Sequence, residues 1–165
     1  MAFYFGVFTP GHISENQVVG IFKDDTRYDG CGHHRFTVSA IGQALTIQIM
    51  DPNIDCYRYH LREIRFENFW KKSSPNGWNF AALTYDFNAK TLTAYDENGV
   101  FDTVNNVEIS GLKTELIDLG VSEREGSIHY MPYDMSLSCI SVYGTVLFPN
   151  EIENIKCSCK KGLNK

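Results

Sequence analysis

Between Tyr57 and Lys72 the chain sets Arg58, His60 and Arg62 at every second position, with Arg65, Lys71 and Lys72 following. Side chains of an extended strand alternate between its faces. Arg58, His60 and Arg62 are therefore expected on one face, and Tyr57, Tyr59 and Leu61 on the other. Phe66, Phe69 and Trp70 interleave with the cations. Sulfated or carboxylated sugars call for several cations at once, because one exposed ion pair contributes only about 0–1 kcal/mol. Arginine suits planar, bidentate contact with such oxyanions, and an aromatic face suits the apolar side of a sugar ring. The competing reading is a solvated strand face on which Glu63 and Glu67 neutralise half of the charge.

A second set comprises Tyr130, Tyr133 and Trp70, with Asp134 and His129 beside them. Loops on a rigid scaffold are where binding residues gather. A sugar site wants one or two exposed rings and an Asp or Asn that accepts hydroxyl hydrogens. Ordinary loop packing is the alternative. For calcium, the candidates are Asp51, Asn53 and Asp55 in one turn and Asp96 and Asn98 in another. Calcium takes six to eight oxygens, so either set needs backbone carbonyls as well; Asx residues are also simply good turn formers. The run Cys31-Gly32-His33-His34, with Cys56 and His60, offers zinc-type ligands, but its spacing matches no closed structural pattern. A Cys31–Cys56 disulfide or two buried thiols is the plainer reading.

Catalysis finds less support. Glycoside hydrolysis needs two carboxylates facing each other across the scissile bond, and no E-x-D-x-x-E-like pattern occurs. Glu63 and Glu67 sit among arginines, which favour the ionised form, whereas a general acid needs a raised pKa. Cys31 and His33 are too close in sequence for ordinary nucleophile–base geometry.

The elements that must carry these residues read as strands. Phe36, Val38 and Ala40 alternate with Thr37 and Ser39; Leu45, Ile47 and Ile49 alternate with Thr46 and Gln48. That period-two pattern marks half-buried strands. Trp78–Tyr85 and Thr91–Tyr95 form a hairpin about the turn at 86–90, and Asp96-Glu97-Asn98-Gly99 makes another turn, Asn-Gly supplying a positive φ. Ser136–Leu147 reads as a long strand broken at Gly144. Pro149–Asn154 reads as one helical turn, and 160–165 as a frayed tail. Residues 111–119 fit a short helix or a strand equally. Many short strands separated by turns indicate a sandwich or barrel.

The chain has 165 residues, 43% of them hydrophobic, which suits one folded domain spanning 1–165. A net charge of −5 argues against general nucleic-acid binding. No apolar run approaches the roughly 20 residues that cross a bilayer, so membrane insertion is not expected. The apolar start lacks a charged leader region and is not read as a signal peptide, which leaves a cytosolic location open. The five cysteines are Cys31, Cys56, Cys139, Cys157 and Cys159, so one is left over if the others bridge.

Two stretches carry a family resemblance. Trp78-Asn79-Phe80-Ala81-Ala82-Leu83-Thr84-Tyr85-Asp86 followed by Leu92-Thr93-Ala94-Tyr95-Asp96-Glu97-Asn98-Gly99 looks like the central hairpin of concanavalin A-like jelly rolls. Leu137–Ile152 resembles the last strand of their laminin-G-like and pentraxin-like members, with an aromatic-Gly pair and a closing Glu-Ile. The two matches stand in the expected order and cover about a quarter of the chain. The pentraxin calcium cluster has no recognisable counterpart. The usual run of small residues before the last strand is replaced by Ser127–Tyr133, so no ligand site carries over residue by residue.

The resemblance implies an all-β fold: a two-sheet antiparallel β-sandwich of jelly-roll type, with at most one or two short helical turns. It places Trp78, Phe80 and Ala82 on one face, interdigitating across a sandwich core. It implies a Cys139 disulfide to Cys157 or Cys159, and an extracellular or cell-surface setting. In function it implies a non-catalytic, lectin-like module binding a glycan or glycosaminoglycan. The alternatives are an adhesion domain with an extracellular protein partner and, further off, a β-glycan hydrolase.

Overall fold

The computed structural model describes residues 1–7, 17–23, 34–41, 43–50, 60–70, 78–109, 116–124, 127–130 and 135–163. Among them the strands are β1 (Ala2–Val7), β2 (Gln17–Lys23), β3 (His34–Ile41), β4 (Ala44–Met50), β5 (His60–Phe66), β6 (Trp78–Asp86), β7 (Thr91–Asp96), β8 (Gly99–Val104), β9 (Leu116–Arg124), β10 (Ser127–Tyr130) and β11 (Met135–Ser141), followed by helix α1 (Pro149–Leu163). They form two antiparallel sheets, one ordered β11-β1-β6-β7-β8 and the other β10-β9-β2-β3-β4-β5. The chain divides into two compact units, Met1–Phe8 with Lys71–Glu108 and Met135–Lys165, and Thr9–Trp70 with Ile109–Asp134. Each unit is built on one of the sheets. The stretch at 111–119 resolves into the strand β9 from Leu116; its first residues lie outside those described.

The six-stranded sheet has one apolar face. Val38 pairs with Ile47, Ile47 with Ile64, Ala40 with Leu45, and Leu45 with Phe66. All six of these residues are buried, as the alternation of hydrophobic positions requires. Thr37, Ser39 and Thr46 stand on the reverse face and are buried as well.

In the five-stranded sheet the turns do what their sequences demand. Asp86 Oδ1 accepts the N–H groups of Asn88 and Ala89, both at 2.9 Å, closing the β6–β7 hairpin. Gly99 takes φ +113° at the β7–β8 hairpin, a conformation that glycine adopts without steric cost.

The Trp78–Phe80–Ala82 face differs from expectation. Its cover is α1, a 15-residue helix where the sequence suggested one turn. Ile152 and Cys159 of α1 pack with Ala2, Phe80, Ala82 and Tyr95, and Trp78, Leu147 and Ile155 border this cluster. Ile152, Ile155 and Cys159 recur at the i, i+3, i+7 spacing of one helical face. Local chemistry supports the helix at both ends. Pro149 occupies its first position, where the missing N–H costs nothing. Glu151 Oε2 accepts the Phe148 N–H at 2.7 Å, half of a capping box. Lys160 and Lys161 lie in the last turn, where positive charge opposes the helix dipole. The tail expected to fray from residue 160 is therefore helical through Leu163.

A disulfide joins Cys139 to Cys159. It resolves the two pairings left open for Cys139 and leaves Cys157 a free, exposed thiol. Cys31 and Cys56 lie outside the described residues. The strand expected to run to Leu147 stops at Ser141, where the β1–β11 ladder ends in the Ala2–Ser141 pair.

Phe80 is 1% exposed and lies under α1. Phe80→Ala is expected to destabilise the protein by about 3–5 kcal/mol, read as a lowered midpoint in chemical denaturation with an unchanged slope.

Candidate functional site

The basic stripe falls on β5, an edge strand of the six-stranded sheet. His60 pairs with Met50 and Arg62 with Ile49, an extra residue at Leu61 intervening. A bulge of this kind re-aims the strand and is common at sheet edges. From Arg62 onward the strand alternates normally. Arg62 shares the face of Ile64 and Phe66, and Arg65 stands on the reverse face with Glu63. Arg58, Lys71 and Lys72 lie outside the described residues.

Arg65 is held by carboxylates. Its Nε lies 2.9 Å from Glu67 Oε1, and its Nη1 lies 4.0 Å from Glu63 Oε1. Glu63 Oε2 also accepts from Gln48 Nε2 at 3.1 Å, and Gln48 Oε1 accepts the Thr37 hydroxyl at 3.3 Å. A polar ladder thus crosses three strands from Thr37 through Gln48 to Glu63, and Arg65 and Glu67 extend it along the edge. Glu63 and Glu67, which the sequence placed among arginines, both lie against Arg65. Such a surface can offer hydrogen-bond donors and acceptors, and Arg62 adds a cation on the other face.

Trp70, expected among exposed ligand-contacting aromatics, is instead buried, at 4% exposure. Its backbone N–H donates to Gln43 O at 3.0 Å, and its indole Nε1–H donates to Ala44 O at 2.9 Å. Phe69 packs edge-on against the ring. The indole anchors the chain leaving β5 to the β3–β4 hairpin, so it presents no stacking platform. Tyr130 closes β10, paired with Val121. β10 and β5 are the opposite ends of the six-stranded sheet, roughly 24 Å apart along it at the usual strand spacing. Tyr133 and Asp134 lie outside the described residues.

Of the calcium candidates, Asp96 and Asn98 satisfy one another. Asp96 Oδ1 accepts the Asn98 N–H at 2.7 Å, and Oδ2 accepts its Nδ2 at 3.2 Å. This is the Asx-turn alternative. Asp51, Asn53 and Asp55 lie outside the described residues, as do Cys31, His33 and Cys56 of the zinc set. Among the described residues no group of three or more His, Cys, Asp or Glu is placed to hold a metal.

Sequence reasoning missed one surface. Val142 (47% exposed), Tyr143 (41%), Val146 (41%) and Phe148 (70%) lie open on the connector between β11 and α1. Val142, Tyr143 and Val146 fall in the strand expected over Ser136–Leu147, and Phe148 follows it. The signal available was Gly144 followed by Pro149, which end the strand pattern. A further unexpected feature lies on the polar face of the six-stranded sheet. Ser39 Oγ and Thr46 Oγ1, on cross-strand partners, are buried without a hydrogen-bond partner.

No family model matches the chain, and no curated protein matches it. Solved structures do. The chain is similar to the CBM40 of the Ruminococcus gnavus IT-sialidase bound to α2,3-sialyllactose, at 14% identity and a TM-score of 0.61, over 93% of this chain and 79% of that one. It is similar to the botulinum neurotoxin type G receptor-binding domain at 14% identity and a TM-score of 0.58, over 95% of this chain and 37% of that one. A leech intramolecular trans-sialidase is matched at 14% identity and a TM-score of 0.58, over 94% of this chain and 22% of that one. These likenesses show the fold, a β-sandwich, and the two-sheet antiparallel expectation holds.

The buried hydroxyls generate a paired prediction. Thr46→Val removes an unpartnered buried hydroxyl at constant shape, and should leave stability within about 0.5 kcal/mol or raise it. Thr37→Val takes the hydroxyl from Gln48, and should cost about 1 kcal/mol. Urea midpoints of the two variants measure the contrast.

Proposed function

We propose that this chain is a non-catalytic glycan-binding module, and that its ligands include acidic, sialylated glycans. The observation that carries the reading is the likeness, over nearly the whole chain, to a carbohydrate-binding module bound to sialyllactose. The chain is also similar to botulinum neurotoxin type C, whose cell entry depends on interaction with two ganglioside molecules. The leech enzyme is matched over only a fifth of its length, which accords with a module rather than a catalytic domain.

Candidate contacts are His60, Arg62 and Arg65 on β5 and Tyr130 on β10, together with Arg58, Lys71, Tyr133 and Asp134, which lie outside the described residues. Arg65 engages Glu67 and Glu63, so it serves better as a positioned hydrogen-bond donor than as a free charge. A carboxylated sugar would meet the stripe through charge-assisted hydrogen bonds. Calcium remains a proposed contributor through Asp51, Asn53 and Asp55. A surface or extracellular setting suits such a ligand.

The second reading, a protein-interaction domain, is favoured by the open apolar side chains at Val142, Tyr143, Val146 and Phe148. Apolar residues clustered in one exposed stretch suit a protein partner better than they suit a sugar.

A glycan array probed with calcium and with chelator tests both. Binding concentrated on sialylated structures is the expected outcome, and chelator sensitivity would assign calcium a role. A blank array in both conditions would shift the assignment to a protein partner. The triple variant Arg58→Ala, Arg62→Ala, Lys71→Ala should weaken glycan binding and flatten its salt dependence. Unchanged affinity would remove the β5 stripe from the site while leaving the module assignment standing.

A further inference from the structure

Two rows of side chains cross β3, β4 and β5 on the polar face of the six-stranded sheet. One runs Thr37–Gln48–Glu63 and the other Ser39–Thr46–Arg65, each residue the direct ladder partner of the next. The first row is bonded from end to end. Its Thr37 hydroxyl donates to Gln48 Oε1 at 3.3 Å, and Gln48 Nε2 donates to Glu63 Oε2 at 3.1 Å. The second row is not. Ser39 Oγ and Thr46 Oγ1 have no hydrogen-bond partner, and both residues are 0% exposed. Arg65 is the row's exposed member. Its Nε lies 2.9 Å from Glu67 Oε1, while its Nη1 stands 4.0 Å from Glu63 Oε1, beyond hydrogen-bond reach.

Buried hydroxyls are nearly always hydrogen-bonded, because an unpaired one has given up water for nothing. Valine and alanine would fill the same two places without that loss. Two such groups on adjacent strands, beside a row of similar composition that is fully paired, mark a surface kept polar for something other than folding. Direct ladder neighbours stand about 4.8 Å apart, a span that one sugar ring bridges. A serine or threonine hydroxyl both donates and accepts, as does each hydroxyl of a sugar. Charge narrows the choice of ligand. At the exposed end of the row one guanidinium stands against the carboxylates of Glu63 and Glu67. No surplus positive charge is left there for an acidic group.

We propose that Ser39, Thr46 and Arg65 form a subsite for an uncharged, hydroxyl-bearing ring of the bound glycan, entered from the β5 edge. The subsite rests on the glycan-binding reading given above and adds to it the part of the ligand that carries no charge. Entry displaces the side chain of Arg65, the direct ladder partner of Thr46. The guanidinium then donates to one ring oxygen, and the hydroxyls of Ser39 and Thr46 exchange hydrogen bonds with ring hydroxyls. Both hydroxyls gain in the bound form the partners that they lack in the free one. That difference is what favours the bound arrangement.

The test is calorimetric titration of the full chain with 3′-sialyllactose and 6′-sialyllactose, whose lactose part supplies neutral hydroxyls. The double variant Ser39→Ala, Thr46→Val should bind about tenfold more weakly. The factor should be the same in about 50 mM and about 500 mM salt, since hydroxyl contacts are not screened. Its urea midpoint should stay level or rise. Thr46→Ser, which keeps the hydroxyl, should restore most of the affinity that Thr46→Val removes. Binding lost while stability is kept or gained is a combination that a purely structural role does not produce. A double variant within about twofold of wild type overturns the subsite and leaves the glycan reading standing. A loss that disappears in high salt overturns it as well, because such a loss traces to charge. Wild type that binds neither sugar overturns both the subsite and the sialylated-glycan reading. Should the double variant fail to fold, Thr46→Val alone decides, with a loss of about fivefold expected and the same twofold limit.

Discussion

β6 is covered on both of its faces, and much of its unit follows from that constraint. Phe80 and Ala82 point one way, Ala81 and Leu83 the other, and all four are buried. A strand in this position exposes neither face to water and needs two separate covers. One is α1, which brings Ile152, Ile155 and Cys159 against Phe80, Ala82 and Tyr95. Fully burying a side chain such as Phe or Ile contributes about 1.5–3 kcal/mol, so a helix that supplies several of them is held in place despite its polar composition. The Cys139–Cys159 bridge then ties the helix to the far edge of the same sheet.

The sheet edges show how the chain limits unwanted pairing. Three of the four edge strands, β11, β8 and β5, have a ladder with an irregularity, beside Cys139, Phe101 and Leu61 respectively, whereas β10 pairs with β9 in regular register. Bulges twist an edge away from the flat geometry that another chain would need. On β5 the extra residue falls between His60 and Arg62. The polar face behind it is then organised by hydrogen bonds among Thr37, Gln48, Glu63 and Arg65 rather than by a row of like charges.

Much of the strand pattern was legible in the residues. Alternation at 36–49 and 78–95, Asp86 and Asn98-Gly99 as turn formers, and the order of the two motifs led to the two-sheet antiparallel fold. Only the first turn of the helix was legible, because its apolar face rests on two isoleucines and a cysteine among lysine, asparagine and serine. The candidate site was only partly legible. Alternation alone did not show the extra residue that the ladder carries at Leu61, between His60 and Arg62, because no local composition signals it. Trp70 looked like a binding aromatic because an indole has the same local signature whether exposed or anchored.

By itself, then, the sequence determined the strands, the hairpin turns and the antiparallel class, because period-two burial and turn chemistry are local properties. Tertiary structure decided which face of β6 the helix covers and which cysteine pairs with Cys139. It decided as well that Trp70 faces inward and that Tyr130 and the β5 stripe lie at opposite edges of one sheet. Those outcomes depend on strand order and ladder register, which join residues far apart in the chain and leave no periodicity in it.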